Sequence, residues 1–382
     1  MSAKLNIVAD ENIPNVAALF SSLGEVTTVN GRQLSAAQIA QADVLLVRSV
    51  TRVDENLLAG SAVKFVGTAT IGIDHLDTEY LDRNGIHWTS APGSNANSVA
   101  DYVISALCRL DGVIPSLFSG AVVGIIGMGN VGSRVYHRLS QLGVRCCAYD
   151  PLLEQDKYSV LTDLDTVLAA DVVCLHTPLT TSGDFPTYHL LDEKRLGQLK
   201  PATVLLNAGR GAVIDNQALK QLLSRRDDLC VVLDVWEHEP TIDIELMKLV
   251  DIATPHIAGY SLDGKLAGAE MLYQACCDFF EQVESPSLSN TEKRLLPLTE
   301  KQQLHRGIKE AVLACYDVAE DDQRLRGGLL HCDEAERGAV FDRLRKQYPV
   351  RREMGQCQLS GALVVDLTLE QALISLGFEL IE

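Results

Sequence analysis

Residues Val122 to Gly132, which read V-V-G-I-I-G-M-G-N-V-G, constrain the fold of this 382-residue chain more than any other segment. An apolar run leads into Gly127-x-Gly129-x-x-Gly132, and a helical pattern follows from Val131 to Leu142. Asp150 comes 18 residues after Gly132, at the end of the next apolar run, Val144 to Tyr149. The glycine spacing alone is weak. A strand before it, a helix after it and an acid one βα unit further on make it a dinucleotide-binding fingerprint. Gly127 permits the tight turn, Gly129 lets backbone approach a pyrophosphate, and Gly132 lets helix and strand pack closely. The helix start offers free N–H groups to phosphate. Asp150 suits both ribose hydroxyls and would repel a 2′-phosphate, so NAD is expected rather than NADP.

Around this unit, apolar runs alternate with amphipathic stretches, the mark of βαβ units and parallel sheets. Strands are expected at 5–9, 25–29, 44–48, 65–70 and 87–89, then at 122–127, 144–149, 172–176, 202–207, 229–235 and 252–254. Helical patterns fill gaps such as 16–23 and 54–59, and long helices are expected at 96–110 and 262–283. The two long helices bracket the second block, which suggests an insertion. The fold class expected is α/β. A doubly wound parallel-sheet NAD domain (98–257) is inserted in a flavodoxin-like substrate domain (1–97 and 258–285). A linker at 284–290 leads to a small C-terminal α/β domain (290–382). There, helices are expected at 304–318, 334–347 and 369–376 and a strand at 361–367. Such an appended module more often serves association than chemistry.

The formal net charge of −18 argues against nucleic acid and anionic membrane as partners, and means that an anionic substrate needs a locally basic pocket. No apolar run approaches 18 residues and no signal peptide is visible, so a cytoplasmic protein is expected. The ten cysteines form no C-x-x-C, and zinc or another metal is not expected.

Three strand ends carry titratable chemistry: Asn207-Ala208-Gly209-Arg210-Gly211, Asp234-Val-Trp-Glu237-His238-Glu239-Pro240, and Thr254-Pro-His256-Ile-Ala-Gly259. Arg210 to Glu239 is 29 residues and Glu239 to His256 is 17, about one βα unit each. Successive strand ends would therefore set an arginine, a carboxylate and an imidazole along one rim. That trio suits oxidation of a hydroxyl-bearing carbon. His256 would take the hydroxyl proton. Glu239 would orient the imidazole and stabilise its protonated form. Arg210 would clamp a substrate carboxylate. His238 ranks below His256, since it lies within a charged loop.

The ordered set of the glycine fingerprint, Asp150, His176-Thr177-Pro-Leu179, Asn207-Ala-Gly-Arg210-Gly-Ala, Asp234-Val-Trp-Glu-x-Glu239-Pro and Thr254-Pro-His256-Ile-Ala-Gly resembles the D-isomer-specific 2-hydroxyacid dehydrogenases, over roughly residues 5–285. The resemblance implies Arg210, Glu239 and His256 as catalytic residues. It implies NAD contacts at Gly127, Gly129, Asn130, Val131, Gly132, Asp150, Thr177, Ala208, Gly209, Arg210, Asp234 and Gly259. Three further features resemble one subgroup whose substrate is a phosphorylated four-carbon hydroxyacid: Thr70 and its loop after Val47-Arg48-Ser49, Tyr260 after the His256 motif, and Phe341-Asp-Arg-Leu-Arg-Lys-x-Tyr348. They imply substrate contacts from Ser49, Thr70 and Tyr260, with Arg48 as a phosphate charge, and a homodimer through the C-terminal domain. The nearest competing reading is the same chemistry on a three-carbon phosphoacid. A non-enzymatic NAD-sensing binding protein is more remote.

Overall fold

The computed structural model describes residues 4–154, 158–283, 292–297, 303–360 and 367–381. Two compact units result: Met1–Asn95 with Ser261–Glu292, and Ala96–Tyr260 with Lys293–Glu382.

In the first unit, strands β1 (Leu5–Asp10), β2 (Gly24–Val29), β3 (Val44–Val47), β4 (Phe65–Thr68) and β5 (His87–Thr89) form one parallel sheet. Its order, β2-β1-β3-β4-β5, is that of flavodoxin-like sheets. Side chains alternate between faces, and here both faces are covered. Ile7, Val44, Leu46 and Phe65 pack on Leu272, Tyr273 and Cys276 of the helix Leu262–Phe279. Val8, Leu45, Val47 and Val66 pack on Ile39, Leu57, Tyr80 and Leu81. Burial on both sides is why these strands read as unbroken apolar runs.

The second unit holds β6 (Val122–Ile126), β7 (Arg145–Tyr149), β8 (Val172–Leu175), β9 (Val204–Asn207), β10 (Cys230–Leu233) and β11 (Ile252–Ala253), all parallel. The order is β11-β10-β9-β8-β6-β7. Outside β7, Leu161 makes a single parallel bridge to Ala148. It stands where a dinucleotide-binding sheet has its third strand, so the place is kept but the strand is reduced to one residue pair.

Residues from 293 onward add a three-stranded parallel sheet, β12 (Arg294–Pro297), β13 (Cys357–Ser360) and β14 (Glu379–Ile381). Helices Leu304–Cys315, Val318–Leu329, Arg337–Lys346 and Leu367–Ser375 accompany it. The helix expected over 304–318 stops at Cys315, because Asp317 caps a new helix by accepting from the Ala319 N–H at 3.1 Å. The expected linker at 284–290 and most of the expected strand at 361–367 lie outside the described residues. This segment shares cores with the nucleotide sheet. Ile308, Ala311 and Val312 lie in one cluster with Tyr102, Val103 and Leu107, and Phe341 lies in another with Leu246 and Met247. Ser98 Oγ donates to Glu353 at 2.6 Å, Met354 N–H to Asp101 at 2.9 Å, and Ser105 Oγ to the Tyr316 carbonyl at 2.8 Å. Among the described residues no helix is long and apolar enough to cross a membrane.

Candidate active site

At the end of β6, Gly127 takes φ +90° and the chain enters the helix Asn130–Gln141. A Cβ on Gly132 would lie 1.9 Å from the Gly127 carbonyl oxygen, so only glycine lets this helix start so close to the strand. A Cβ on Gly129 would meet nothing within 4 Å, which leaves that backbone open to a ligand. Asp150, just past β7, accepts from Met128 N–H at 2.9 Å and from Leu152 N–H at 3.1 Å. Its carboxylate thus braces the glycine turn and keeps lone pairs to offer. Thr177, after β8, has a buried hydroxyl with no protein partner. A Cβ on Gly209 would lie 2.9 Å from the Thr177 carbonyl oxygen, so the loop after β9 must pass this point as glycine. An open glycine backbone, a helix N-terminus, an orphaned hydroxyl and an acid fit a dinucleotide.

Asp234, after β10, is 1% exposed. Its carboxylate accepts from Thr254 Oγ1 at 2.6 Å, Ile257 N–H at 2.8 Å and Ala258 N–H at 2.9 Å. Its backbone carbonyl accepts from His256 N–H at 2.7 Å. These bonds hold the loop after β11 and place His256 at φ +56°, a left-handed conformation that costs a non-glycine residue about 1–2 kcal/mol. The sequence reading named Asp234 as a cofactor contact; its grip on the His256 loop is an additional role.

His256 Nδ1 is 2.7 Å from Glu239 Oε2. The other Glu239 oxygen accepts from Trp236 N–H at 2.9 Å. Burial pushes the Glu239 carboxyl up, but the His256 contact, the Trp236 N–H and the Arg345 charge outweigh it and hold the group below its ordinary range. Glu239 is therefore ionised at neutral pH and can accept from the His256 Nδ1–H, which turns Nε2 to a substrate. The turn that carries Glu239 is itself braced. Trp236 Nε1 donates to the Thr254 carbonyl at 3.0 Å, Asn216 exchanges two hydrogen bonds with Glu237, and His189 Nε2 sits 2.8 Å from Glu237 Oε1. Arg210 begins the turn after β9, its Nη1 donating to the Gly209 carbonyl at 2.9 Å while Asn207 Nδ2 donates to the Arg210 carbonyl at 3.0 Å.

Tyr260 packs edge-on against Tyr348, ring centroids 5.8 Å apart, with the Arg345 guanidinium carbon 5.8 Å from its own centroid. Arg351 is buried and donates to the Ala258 carbonyl at 2.5 Å and the Ser98 carbonyl at 2.9 Å. Sequence reasoning had no role for Arg345, Tyr348 or Arg351. Arg345 and Tyr348 lie in the Phe341–Tyr348 motif, whose resemblance implies association rather than a place beside Tyr260.

In the other unit, Arg48 and Ser49 follow β3 and Thr70 lies just beyond β4. Thr70 Oγ1 is 2.8 Å from Thr68 Oγ1, which is 2.9 Å from His75 Nε2. Burial pulls His75 down to about 4, despite the charge of Asp74, so a neutral ring anchors this relay at pH 7.

A profile described as "D-isomer specific 2-hydroxyacid dehydrogenase, NAD binding domain" matches residues 109–258, and one described as a domain of unknown function matches residues 288–377. An erythronate-4-phosphate dehydrogenase of Cellvibrio japonicus is 50% identical over 93% of this chain and 94% of its own length. One of Teredinibacter turnerae is 47% identical over 94% and 96%. The chain belongs to the erythronate-4-phosphate dehydrogenase family. Solved structures agree on the fold. The D-lactate dehydrogenase of Aquifex aeolicus, complexed with NAD and lactic acid, superposes with a TM-score of 0.58 at 24% identity, covering 72% of this chain and 96% of that one. The NAD+-bound 3-phosphoglycerate dehydrogenase of Entamoeba histolytica gives 0.61 at 24% identity, over 73% and 96%. As a member of this family the protein is an NAD-dependent 2-hydroxyacid dehydrogenase, and NAD is its cofactor.

His176, at the end of β8, has both ring nitrogens buried without partners, and burial lowers it from 6.5 to about 4. A neutral buried imidazole supports the fold fully above pH 6.5 and less as pH falls toward 4. His176→Leu is therefore expected to lose less stability than wild type between pH 7 and 4.5, by about 2–3 kcal/mol. Urea midpoints at the two pH values read this out; equal losses would remove His176 from the acid response.

Proposed function

We propose that this chain oxidises 4-phospho-D-erythronate at C2 to (R)-3-hydroxy-2-oxo-4-phosphooxybutanoate, with reduction of NAD, in the route to pyridoxal 5′-phosphate. The observation that carries the reading is the His256–Glu239 pair, at 2.7 Å, in a chain whose near-full-length relatives bear the matching name.

Gly127, Gly129, Asn130, Val131, Gly132, Asp150, Thr177, Ala208, Gly209, Asp234 and Gly259 hold the cofactor. When bound, NAD supplies the hydride acceptor. His256 Nε2 takes the C2 hydroxyl proton as the C2–H bond gives up its electron pair and C2–O becomes a carbonyl. Glu239, ionised and fixed by Trp236, keeps the imidazole in the tautomer that can accept and stabilises the charge it gains. Arg210 binds the substrate carboxylate and polarises the C2 oxygen. Ser49, Thr70 and Tyr260 offer hydroxyls to the rest of the substrate, with Thr70 oriented through Thr68 and His75. Arg48, next to Ser49 in the chain, adds positive charge for the phosphate.

The domain plan proposed is a substrate-binding part (1–97 and 258–285), an NAD-binding part (98–257) and a dimerisation part (290–382). A cytoplasmic homodimer is supported by ten cysteines that form no disulfide and by exposed Leu295, Val350 and Ile374 in the C-terminal segment. Light scattering should give twice the chain mass; the mass of a single chain would contradict the dimer.

His256→Ala is expected to lower turnover of 4-phospho-D-erythronate by roughly 10²–10⁴-fold while NAD still binds. Turnover at the wild-type rate would remove His256 from the mechanism.

A further inference from the structure

The substrate reading requires two anion sites, a carboxylate and a phosphate dianion, in a protein whose net charge is −18. Arg210 accounts for one. The second needs a cation that is partly desolvated and has donors to spare. Arg345, on the helix Arg337–Lys346 of the C-terminal segment, meets both conditions. Its side chain is 24% exposed, and its Nε is buried with no hydrogen-bond partner. Its nearest carboxylate on the same helix, Asp342, stands at 4.0 Å, too far for a hydrogen bond.

We propose that Arg345 is the phosphate-binding residue of the substrate site, working beside Tyr260 and four residues from Tyr260 to His256 along the chain. The assignment rests on the proposed phosphoacid substrate. The Arg345 guanidinium carbon stands 5.8 Å from the Tyr260 ring centroid, and Tyr348 meets that ring edge-on at 5.8 Å. Tyr348 is fixed in turn, its hydroxyl donating to Asp321 at 2.7 Å. Arg345 is also near enough to Glu239 for each charge to favour the other. The cation is therefore within electrostatic range of the proton-transfer pair. A guanidinium presents its N–H groups in a planar fork that fits phosphate oxygens. The C-terminal segment thereby becomes part of the substrate site, and a chain lacking it would lose phosphate recognition.

The test compares kcat/KM for 4-phospho-D-erythronate and for D-erythronate in wild type, Arg345→Gln, Arg345→Lys and Arg48→Gln. In Arg345→Gln, the preference for the phosphorylated acid should fall about 10–100-fold, the size of a lost charge-assisted hydrogen bond, carried mainly by KM. Arg345→Lys keeps the charge without the fork and should lose part of the preference. If the Gln variant does not fold, the Lys variant carries the test, and an unchanged preference in it overturns the assignment. Equal losses for both acids in Arg345→Gln would make Arg345 a structural support of Tyr260 and Glu239, and would overturn it too. So would a preference that collapses in Arg48→Gln but survives in Arg345→Gln. A wild-type enzyme with no preference for the phosphorylated acid would instead refute the functional reading itself, and this assignment with it.

Discussion

The carboxylate of Asp234 is the contact on which the site depends. Buried at the end of β10, it accepts from one hydroxyl and two backbone N–H groups of the loop after β11. A buried carboxylate is costly unless its lone pairs are met, and here they are met by the segment that must be held. The loop in exchange keeps His256 in a left-handed conformation that an unrestrained histidine would leave. Thr254 extends the network. Its hydroxyl is 2.8 Å from the Tyr102 hydroxyl and its carbonyl accepts from the Trp236 indole. Two strand ends, one long helix and one tryptophan are thus tied to a single acid, and the His256–Glu239 pair inherits its rigidity from them.

The C-terminal segment enters this arrangement from another side. Arg351 donates to the carbonyl of Ala258, the residue whose N–H is bonded to Asp234. The loop that presents His256 is therefore gripped at one residue by the nucleotide sheet and by the C-terminal segment together. Shared apolar clusters, with Ile308 and Val312 against Leu107 and Phe341 against Met247, make the grip a matter of core packing rather than of surface contact. A segment that reads in the sequence as an appended module is built into the unit that carries the chemistry.

Much of this is legible in the sequence. Strands buried on both faces must be apolar throughout, so β3, β4, β8 and β9 stand out at once. Gly127 and Gly132 of the fingerprint follow from backbone conformation and close approach that other residues do not satisfy. Glu239 and His256 could be paired because one βα unit separates them, and the structure places them 2.7 Å apart. What stayed hidden depends on tertiary partners. The helix Val318–Leu329 has Asp-Asp and Gly-Gly in its sequence, and it forms because Val318, Leu325 and Leu329 are buried. The third strand of the nucleotide sheet shrinks to the Leu161 bridge, which no periodicity reports. The loop-holding role of Asp234 and the place of Arg345 beside Tyr260 rest on contacts between residues 20 to 85 positions apart, and spacing alone does not pair such residues.

The most direct test of the account follows the hydrogen at C2. Purified protein at stoichiometric concentration would be mixed with NAD and 4-phospho-D-erythronate carrying deuterium at C2, and the reduced cofactor analysed by mass spectrometry. The account predicts one deuterium per reduced NAD. Reduced cofactor without the label, or no reduced cofactor while the analogous three-carbon phosphoacid is oxidised, would contradict it.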